Sequence, residues 1–149
     1  MEQHAANACG TIAALHAITN IHRLQPDLVA KDSFLAKFIE ATKNLSPEER
    51  GAYLKGNKDL EDAHKEAVQQ GDTEVEDSVM THFIAFMEID GQLYELDGTK
   101  DAPVSHGEVK PENLLSKSCE VIKQFMERDP EEIRFTLMAL AKAGEPESQ

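Results

Sequence analysis

The chain has 149 residues, of which 28 are acidic and 15 are basic, so its formal net charge at pH 7 is −13. This charge argues against binding to nucleic acid and favours a basic partner. The length is ample for one folded domain, which we assign to residues 1–149, and no apolar run approaches the ~20 residues that cross a bilayer.

The N-terminus and the cysteine content favour a reducing compartment. The first residues lack the basic and apolar regions of a signal peptide. The two cysteines, Cys9 and Cys119, lie far apart in sequence and do not form the pattern of a disulfide framework. We therefore expect a cytoplasmic protein.

The first element of interest is the pair Gln3 and Cys9 in "QHAANACGT". Cys9 comes directly before the apolar run "TIAALHAI", which predicts a helix with the cysteine sulfur at its N-terminus. Unpaired amides at a helix start and a nearby imidazolium favour the thiolate, which is the nucleophilic form. The side-chain amide of Gln3 and the backbone N–H of Cys9 could then donate to the oxyanion that forms when Cys9 attacks a carbonyl.

Two helices are predicted after this first one. The segment from Ser33 to Lys43 is periodic and places an apolar face toward the core. Ser46 and Glu49 around a proline form the pattern of a capping box, which predicts another helix start. The face of the first of these helices consists of Phe34, Leu35, Phe38 and Ile39.

A further helical segment and an acidic loop follow. Residues 59–70 continue in helical style and end at Gly71, a residue suited to a helix C-terminus. Residues 71–79, "GDTEVEDSV", are acidic and poor in apolar side chains, so they predict a loop. By composition alone, this stretch is also typical of an ordinary solvated connector.

The next two segments predict a β-hairpin that carries a histidine and a carboxylate. His82 begins "HFIAF" and Asp97 ends "LYELD", and Asp90-Gly91 between them is a favoured two-residue turn. Pairing of the strands would bring His82 and Asp97 together, where the carboxylate can orient the imidazole toward a thiol.

The C-terminal third predicts a core helix and a closing strand. Pro111 opens the helix, and its wide apolar face includes Cys119, which we interpret as a packing residue. Residues 133–141, "IRFTLMALA", alternate well enough for a strand, and residues 144–149 are expected to be a disordered tail. The predicted helical face comprises Leu114, Leu115, Cys119, Val121, Ile122, Phe125 and Met126.

Other interpretations compete with a thiol site. A cysteine on an apolar helix is more often a buried hydrophobe, and a histidine beside a strand is more often structural. A metal site has little support, because the sequence has neither an HExxH motif nor paired Cys-x2-Cys spacing. We predict no metal and no cofactor, and we assign structural roles to His4 and His106.

The amino-acid sequences of several segments point to a family. The segments "NACGTIAALHAITN", "LSPEERGAYL", "THFIAFMEIDGQLYELDGTK", "SHGE" and "FMERDPEEIRFTLMALAKA" resemble the ubiquitin carboxyl-terminal hydrolases, in particular the small single-domain cytosolic enzymes. The similarity runs along nearly the whole chain, and the motifs stand in the family's order. The resemblance implies an α+β, papain-like cysteine protease architecture with a central, mostly antiparallel sheet flanked by helices.

The resemblance also implies roles for the four candidate residues. Cys9 would be the nucleophile, His82 the general base, Asp97 the residue that orients His82, and Gln3 the donor that polarises the carbonyl. The expected reaction is cleavage of ester, thioester, amide or peptide bonds at the C-terminal glycine of ubiquitin. Small or unfolded leaving groups would be preferred, because residues 71–79 would cross over the active site as they do in the family.

The expected partner is ubiquitin or a related ubiquitin-like modifier, and we expect a monomer that binds neither nucleic acid nor membranes. Members of the family carry a long segment ahead of the glutamine that contributes a central strand and part of the ubiquitin-binding surface. We therefore expect a partial domain here, and two functions stay open. One is an active hydrolase, and the other is a catalytically silent fragment or ubiquitin-binding module.

Overall fold

The computed structural model describes residues 1–3, 8–55, 57–58, 60 and 81–141. Four α-helices and three β-strands lie wholly within these ranges, together with two short 3₁₀ turns. Within this part of the chain, no helix is both long and apolar enough to cross a membrane. The elements in chain order are α1 Cys9–Leu24, the 3₁₀ turn Pro26–Leu28, α2 Phe34–Thr42, α3 Pro47–Leu54, β1 Ala85–Ile89, β2 Gln92–Leu96, β3 Val104–Glu108, the 3₁₀ turn Pro111–Asn113 and α4 Leu114–Met126.

The three strands form one antiparallel sheet in the order β1-β2-β3. The predicted hairpin between β1 and β2 is confirmed, with Asp90 and Gly91 at φ 52° and 80°. Positive φ at both central residues matches the right-handed twist of the paired strands. The register aligns Ala85 with Leu96, so the chain just before β1 and just after β2 meets at one edge of the sheet.

Helix α1 covers one face of the sheet. Ala85, Met87 and Leu96 are buried on this face. They pack against the side of α1 that carries its small and branched residues, which are Ala13, Ala17 and Ile21. Side chains along a strand alternate between the two faces of the sheet, so Ala85 and Met87 of β1 both point toward α1.

Helix α4 covers the other face of the sheet. Leu93 is only 2% exposed and packs with Val109 and Val121, while Leu114 and Phe125 of α4 close the cluster. The prediction of a core helix is therefore confirmed, with two corrections. Pro111 begins the 3₁₀ turn Pro111–Asn113, and α4 itself begins at Leu114. Leu115 is 65% exposed, because it lies about 100° around the helix from Leu114 and faces solvent.

Helices α2 and α3 pack at the far side of α1 in a second core. Phe38 of α2 is buried with Ile12 and Leu15 of α1 and Leu54 of α3, and the rest of the predicted α2 face packs against them. The capping box predicted at Ser46 is present, since Ser46 Oγ accepts from the Glu49 N–H and the Glu49 carboxylate accepts from the Ser46 N–H. These local signals fix where α3 begins.

The closing strand predicted at residues 133–141 is wrong. This segment has no regular secondary structure, and Ile133 and Met138 are each 86% exposed. A strand requires a neighbouring strand for its backbone N–H and C=O groups, and the ranges described here provide none beside it.

The antiparallel sheet itself agrees with the expected α+β, papain-like architecture.

Several predictions fall on residues outside the described ranges. The helix predicted at 59–70 is described only at Leu60, which is helical. The acidic loop at 71–79 and the tail at 144–149 lie wholly outside. His4 lies outside as well.

The buried centre of β2 gives a test of the fold. Replacing Leu93 by alanine should lower the free energy of unfolding by about 2–5 kcal/mol, because the sheet and α4 cannot fill the cavity. Replacing the exposed Leu115 by alanine is the matched control and should change it by less than about 0.5 kcal/mol. Urea denaturation of both variants measures the difference, and equal effects would contradict this packing.

Candidate active site

Cys9 lies at the start of α1, as predicted. It is the first residue of the helix and is partly exposed, and Ala8 precedes it without a side-chain cap. The N–H groups in the first turn of a helix have no acceptor within that helix, so they favour negative charge beside them. The Cys9 Sγ lies 4.0 Å from the carbonyl oxygen of Thr81, the residue that precedes His82.

His82 and Asp97 are in direct contact, as the hairpin prediction requires. His82 Nε2 lies 2.8 Å from Asp97 Oδ1. The Asp97 side chain is 7% exposed and that of His82 is 41% exposed, so the carboxylate is buried behind a ring that solvent can reach. A carboxylate accepts only, so Asp97 selects the ring form with its proton on Nε2 and leaves Nδ1 free to take a proton.

Thr99 holds the Asp97 carboxylate and was missed by sequence reasoning. Its backbone N–H and its hydroxyl both donate to Asp97 Oδ1, at 2.9 and 2.8 Å. Burial raises the pKa of Asp97, but the two bonds from Thr99 and the contact with His82 outweigh it and leave the pKa below its ordinary value. The short spacing Asp-x-Thr was the available signal, because an Asp side chain often binds the backbone two residues on.

The backbone of Gln3 is tied to the same place. Its N–H donates to the carbonyl oxygen of Gly98, next to Asp97, at 2.8 Å. Gly98 is buried against α1, and a Cβ at this position would lie 2.8 Å from Ile12 Cγ2. The segments that carry Gln3, Cys9 and Asp97 therefore pack against one another. The contact of Asp97 with His82 adds the fourth segment.

His16 is the other histidine near these residues. It lies seven residues after Cys9, on the same side of α1 but about 10 Å deeper along the helix. It is buried, and burial lowers its pKa. At this distance along the helix, the His16 ring is out of hydrogen-bond reach of the Cys9 sulfur and cannot serve as its base.

A second polar cluster centres on Glu95 in β2, two residues before Asp97. Glu95 is 2% exposed, and its carboxylate contacts Lys100 through Oε1 and His106 Nε2 through Oε2, the latter at 2.9 Å. The structural role assigned to His106 agrees with this contact. Sequence reasoning missed Glu95, although an acidic residue at an inward position of an apolar strand was a signal.

Other parts of the described chain show no competing site. In these ranges, no group of three His, Cys, Asp or Glu side chains lies close enough together to hold a metal ion. An open cavity of about 480 Å³ is lined by Ile89, Asp90, Gln92, Tyr94 and Pro103. It lies at the hairpin turn, at the opposite end of β2 from Asp97.

The fold is shared with a catalytic domain of known structure. The structure superposes on the catalytic domain of UCH37 from Trichinella spiralis, solved bound to ubiquitin vinyl methyl ester, with a TM-score of 0.68. The match covers 89% of this chain and 58% of that one, at 22% sequence identity. This likeness establishes the fold, which is the expected α+β, papain-like one.

Sequence comparison then identifies the family. The sequence model of the protein family "ubiquitin carboxyl-terminal hydrolase, family 1" matches residues 1–127. The chain therefore belongs to this family. It is 43% identical over 142 residues to ubiquitin carboxyl-terminal hydrolase 3 of Arabidopsis thaliana, a match that covers 95% of this chain. It is 41% identical over 145 residues to isozyme L1 of Rattus norvegicus, with 97% of this chain covered. The chain spans 60% and 64% of the length of these two relatives.

The contact of Gly98 with α1 gives a test of how the site is held. Replacing Gly98 by alanine should destabilise the protein by about 1–3 kcal/mol, because the new Cβ would overlap Ile12 and crowd Gln3. Gly10→Ala is the matched control, since its Cβ would meet the Phe83 ring at an ordinary 3.6 Å and alanine favours the helix. Urea midpoints measure both changes, and a Gly98→Ala variant as stable as Gly10→Ala would contradict the close approach.

The buried His16 predicts a pH dependence of stability. In the unfolded chain its pKa is near 6.5, whereas burial lowers the folded value. As the pH falls through 6.5, only the unfolded state takes up this proton, so stability is lost until the folded pKa is reached. The free energy of unfolding should therefore decrease from pH 8 to pH 5.5 more steeply in the wild type than in His16→Gln. Parallel pH profiles would show that His16 does not contribute.

Proposed function

We propose that this chain is a cysteine-type deubiquitinase that hydrolyses bonds to the C-terminal glycine of ubiquitin. The observation that supports it most is the 2.8 Å contact of His82 with the buried Asp97, next to the helix start that carries Cys9. Membership in the family gives the chemistry its substrate class.

In the proposed mechanism, Cys9 attacks the glycine carbonyl as a thiolate. His82 Nδ1 takes the thiol proton, and Asp97 stabilises the resulting imidazolium through Nε2. The carbonyl oxygen becomes an oxyanion that the Gln3 side-chain amide and the Cys9 N–H stabilise by donating to it. The tetrahedral intermediate collapses to a thioester, and His82 gives its proton to the leaving group.

The second half of the reaction releases ubiquitin. His82, now neutral, takes a proton from a water molecule, and the hydroxide adds to the thioester carbonyl. Collapse of this second intermediate frees the ubiquitin carboxylate, and the sulfur leaves as the thiolate of Cys9. The enzyme then returns to its starting state without a metal or cofactor.

The net charge of the chain and the family position of residues 71–79 support finer features of the proposal. The net charge of −13 favours a basic partner such as the arginine-bearing tail of ubiquitin, and a related ubiquitin-like modifier would be attracted in the same way. We place the enzyme in the cytoplasm as a monomer in ubiquitin-dependent protein breakdown. The preference for small or unfolded leaving groups rests on the family position of residues 71–79.

A ubiquitin-binding module without turnover is the second candidate. The exposed apolar side chains of residues 133–141, among them Ile133, Met138 and Leu140, favour it, since such a segment is available to another chain. A chain that binds ubiquitin but leaves its C-terminal amides intact would have this function. A cooperative thermal unfolding transition together with turnover would exclude it.

Labelling with ubiquitin that carries a C-terminal thiol-reactive electrophile tests the nucleophile. The wild-type chain should form a covalent adduct, and Cys9→Ala should form none while still binding ubiquitin. Cys119→Ala is the matched control, because this partly exposed cysteine lies on α4 and should not affect the adduct. An adduct that persists in Cys9→Ala would overturn the assignment.

The role of Asp97 is tested by turnover of a fluorogenic ubiquitin amide. Asp97→Asn should lower kcat by about 10²- to 10⁴-fold without unfolding the chain, because an amide no longer fixes the ring form of His82. Asp101→Asn changes an exposed carboxylate in the following loop and should leave kcat unchanged. Full activity of Asp97→Asn would contradict the proposed triad.

A further inference from the structure

Glu95 is a buried charge on the face of the sheet that α4 covers. It pairs across the sheet with Phe86 of β1 and Val104 of β3, and it shares its face with the buried Leu93. Removing a carboxylate from water is costly, and apolar residues of similar size often replace a buried ion pair without loss of stability. A gain in stability is therefore a weak reason for a charge at this position.

The two side chains that contact Glu95 come from chain segments beyond Asp97. Lys100 reaches Glu95 Oε1 from the end of the turn at residues 97–100, and His106 reaches Oε2 from β3. The His106 ring also packs against Phe86, with 6.0 Å between the ring centroids. Both carboxylate oxygens are thus used to connect β2 with the chain that follows it.

The turn at residues 97–100 is the segment that these contacts hold. It begins with Asp97 directly after β2, and it is closed by the Lys100 N–H donating to the Asp97 carbonyl oxygen at 3.3 Å. Within it, Thr99 donates to the Asp97 carboxylate. The ion pair with Glu95 attaches the end of this turn to the same strand from which the turn begins.

The ion pair fixes the Lys100 ammonium on Glu95 Oε1. An unpaired cation three residues from Asp97 would compete with His82 for the carboxylate that contacts the ring. Misplacement of a catalytic group by about 1 Å lowers rates by about 100-fold.

We propose that Glu95 and Lys100 are positioning residues, which hold the turn of Asp97 so that its carboxylate faces His82 Nε2. This inference rests on the proposed function, and it adds two residues that touch neither the substrate nor the reacting atoms. His106 completes the cluster from β3.

Steady-state turnover of a fluorogenic ubiquitin amide by the full chain tests the inference. Glu95→Gln and Lys100→Met should each lower kcat by about 10- to 100-fold, with KM within about twofold of the wild type. Lys100→Arg should keep most of the wild-type kcat, because a guanidinium keeps the positive charge. Glu40→Gln and Lys43→Met remove an exposed acid–lysine pair on α2 and serve as matched controls with unchanged kinetics.

A second measurement does not depend on turnover. Ring-nitrogen NMR of His82, recorded in the Cys9→Ala background where no thiolate keeps the ring charged, reports which nitrogen carries the proton. The parent should hold it on Nε2, and Glu95→Gln and Lys100→Met should each show a mixture of the two ring forms. If Glu95→Gln does not fold, the Lys100 variants decide.

The outcomes separate this inference from the proposed function. If the wild-type chain does not turn over the amide, the proposed function fails, and the His82 spectrum alone decides the positioning role. Wild-type kcat and an unchanged spectrum in both variants would overturn the inference. So would a loss confined to KM, a Lys100→Arg variant as slow as Lys100→Met, or an equal loss in the α2 controls.

Discussion

The pairing of β1 with β2 is the constraint on which the site depends. Because Ala85 lies opposite Leu96, the residues just outside the two strands meet at one edge of the sheet. His82 precedes β1 by three residues and Asp97 follows β2 by one, so the register itself places the ring against the carboxylate. A shift of register by one residue would also turn the buried side chains of each strand to the opposite face. The contacts with α1 and α4 therefore secure the geometry of the pair.

Features with a local cause were predictable from the sequence. The capping box at Ser46, the turn at Asp90-Gly91 and the helix start at Cys9 each depend on a few neighbouring residues, and all three are present. The contact of His82 with Asp97 followed from the turn, since a two-residue loop fixes the strand register. Thus the central pair of the candidate site needed little tertiary information.

Features that depend on distant partners were not predictable in the same way. The alternation in residues 133–141 is typical of a strand, but a strand forms only beside another, and the pattern contains no information about whether a partner is present. A carboxylate such as that of Glu95 normally faces solvent. Here it is buried, and contacts with Lys100 and His106, which both lie later in the chain, hold it inside the sheet. Similarly, the close approach of Gly98 to Ile12 depends on how α1 crosses the sheet.

The exposed segment at residues 133–141 has a consequence for the chain in solution. Its exposed apolar side chains can contact an apolar surface of another molecule. The net charge of −13 opposes such contacts, because two copies repel each other before their apolar segments meet. Salt screens this repulsion but leaves the apolar attraction in place. Raising the ionic strength therefore weakens the repulsion that opposes contact between the exposed apolar side chains of two copies.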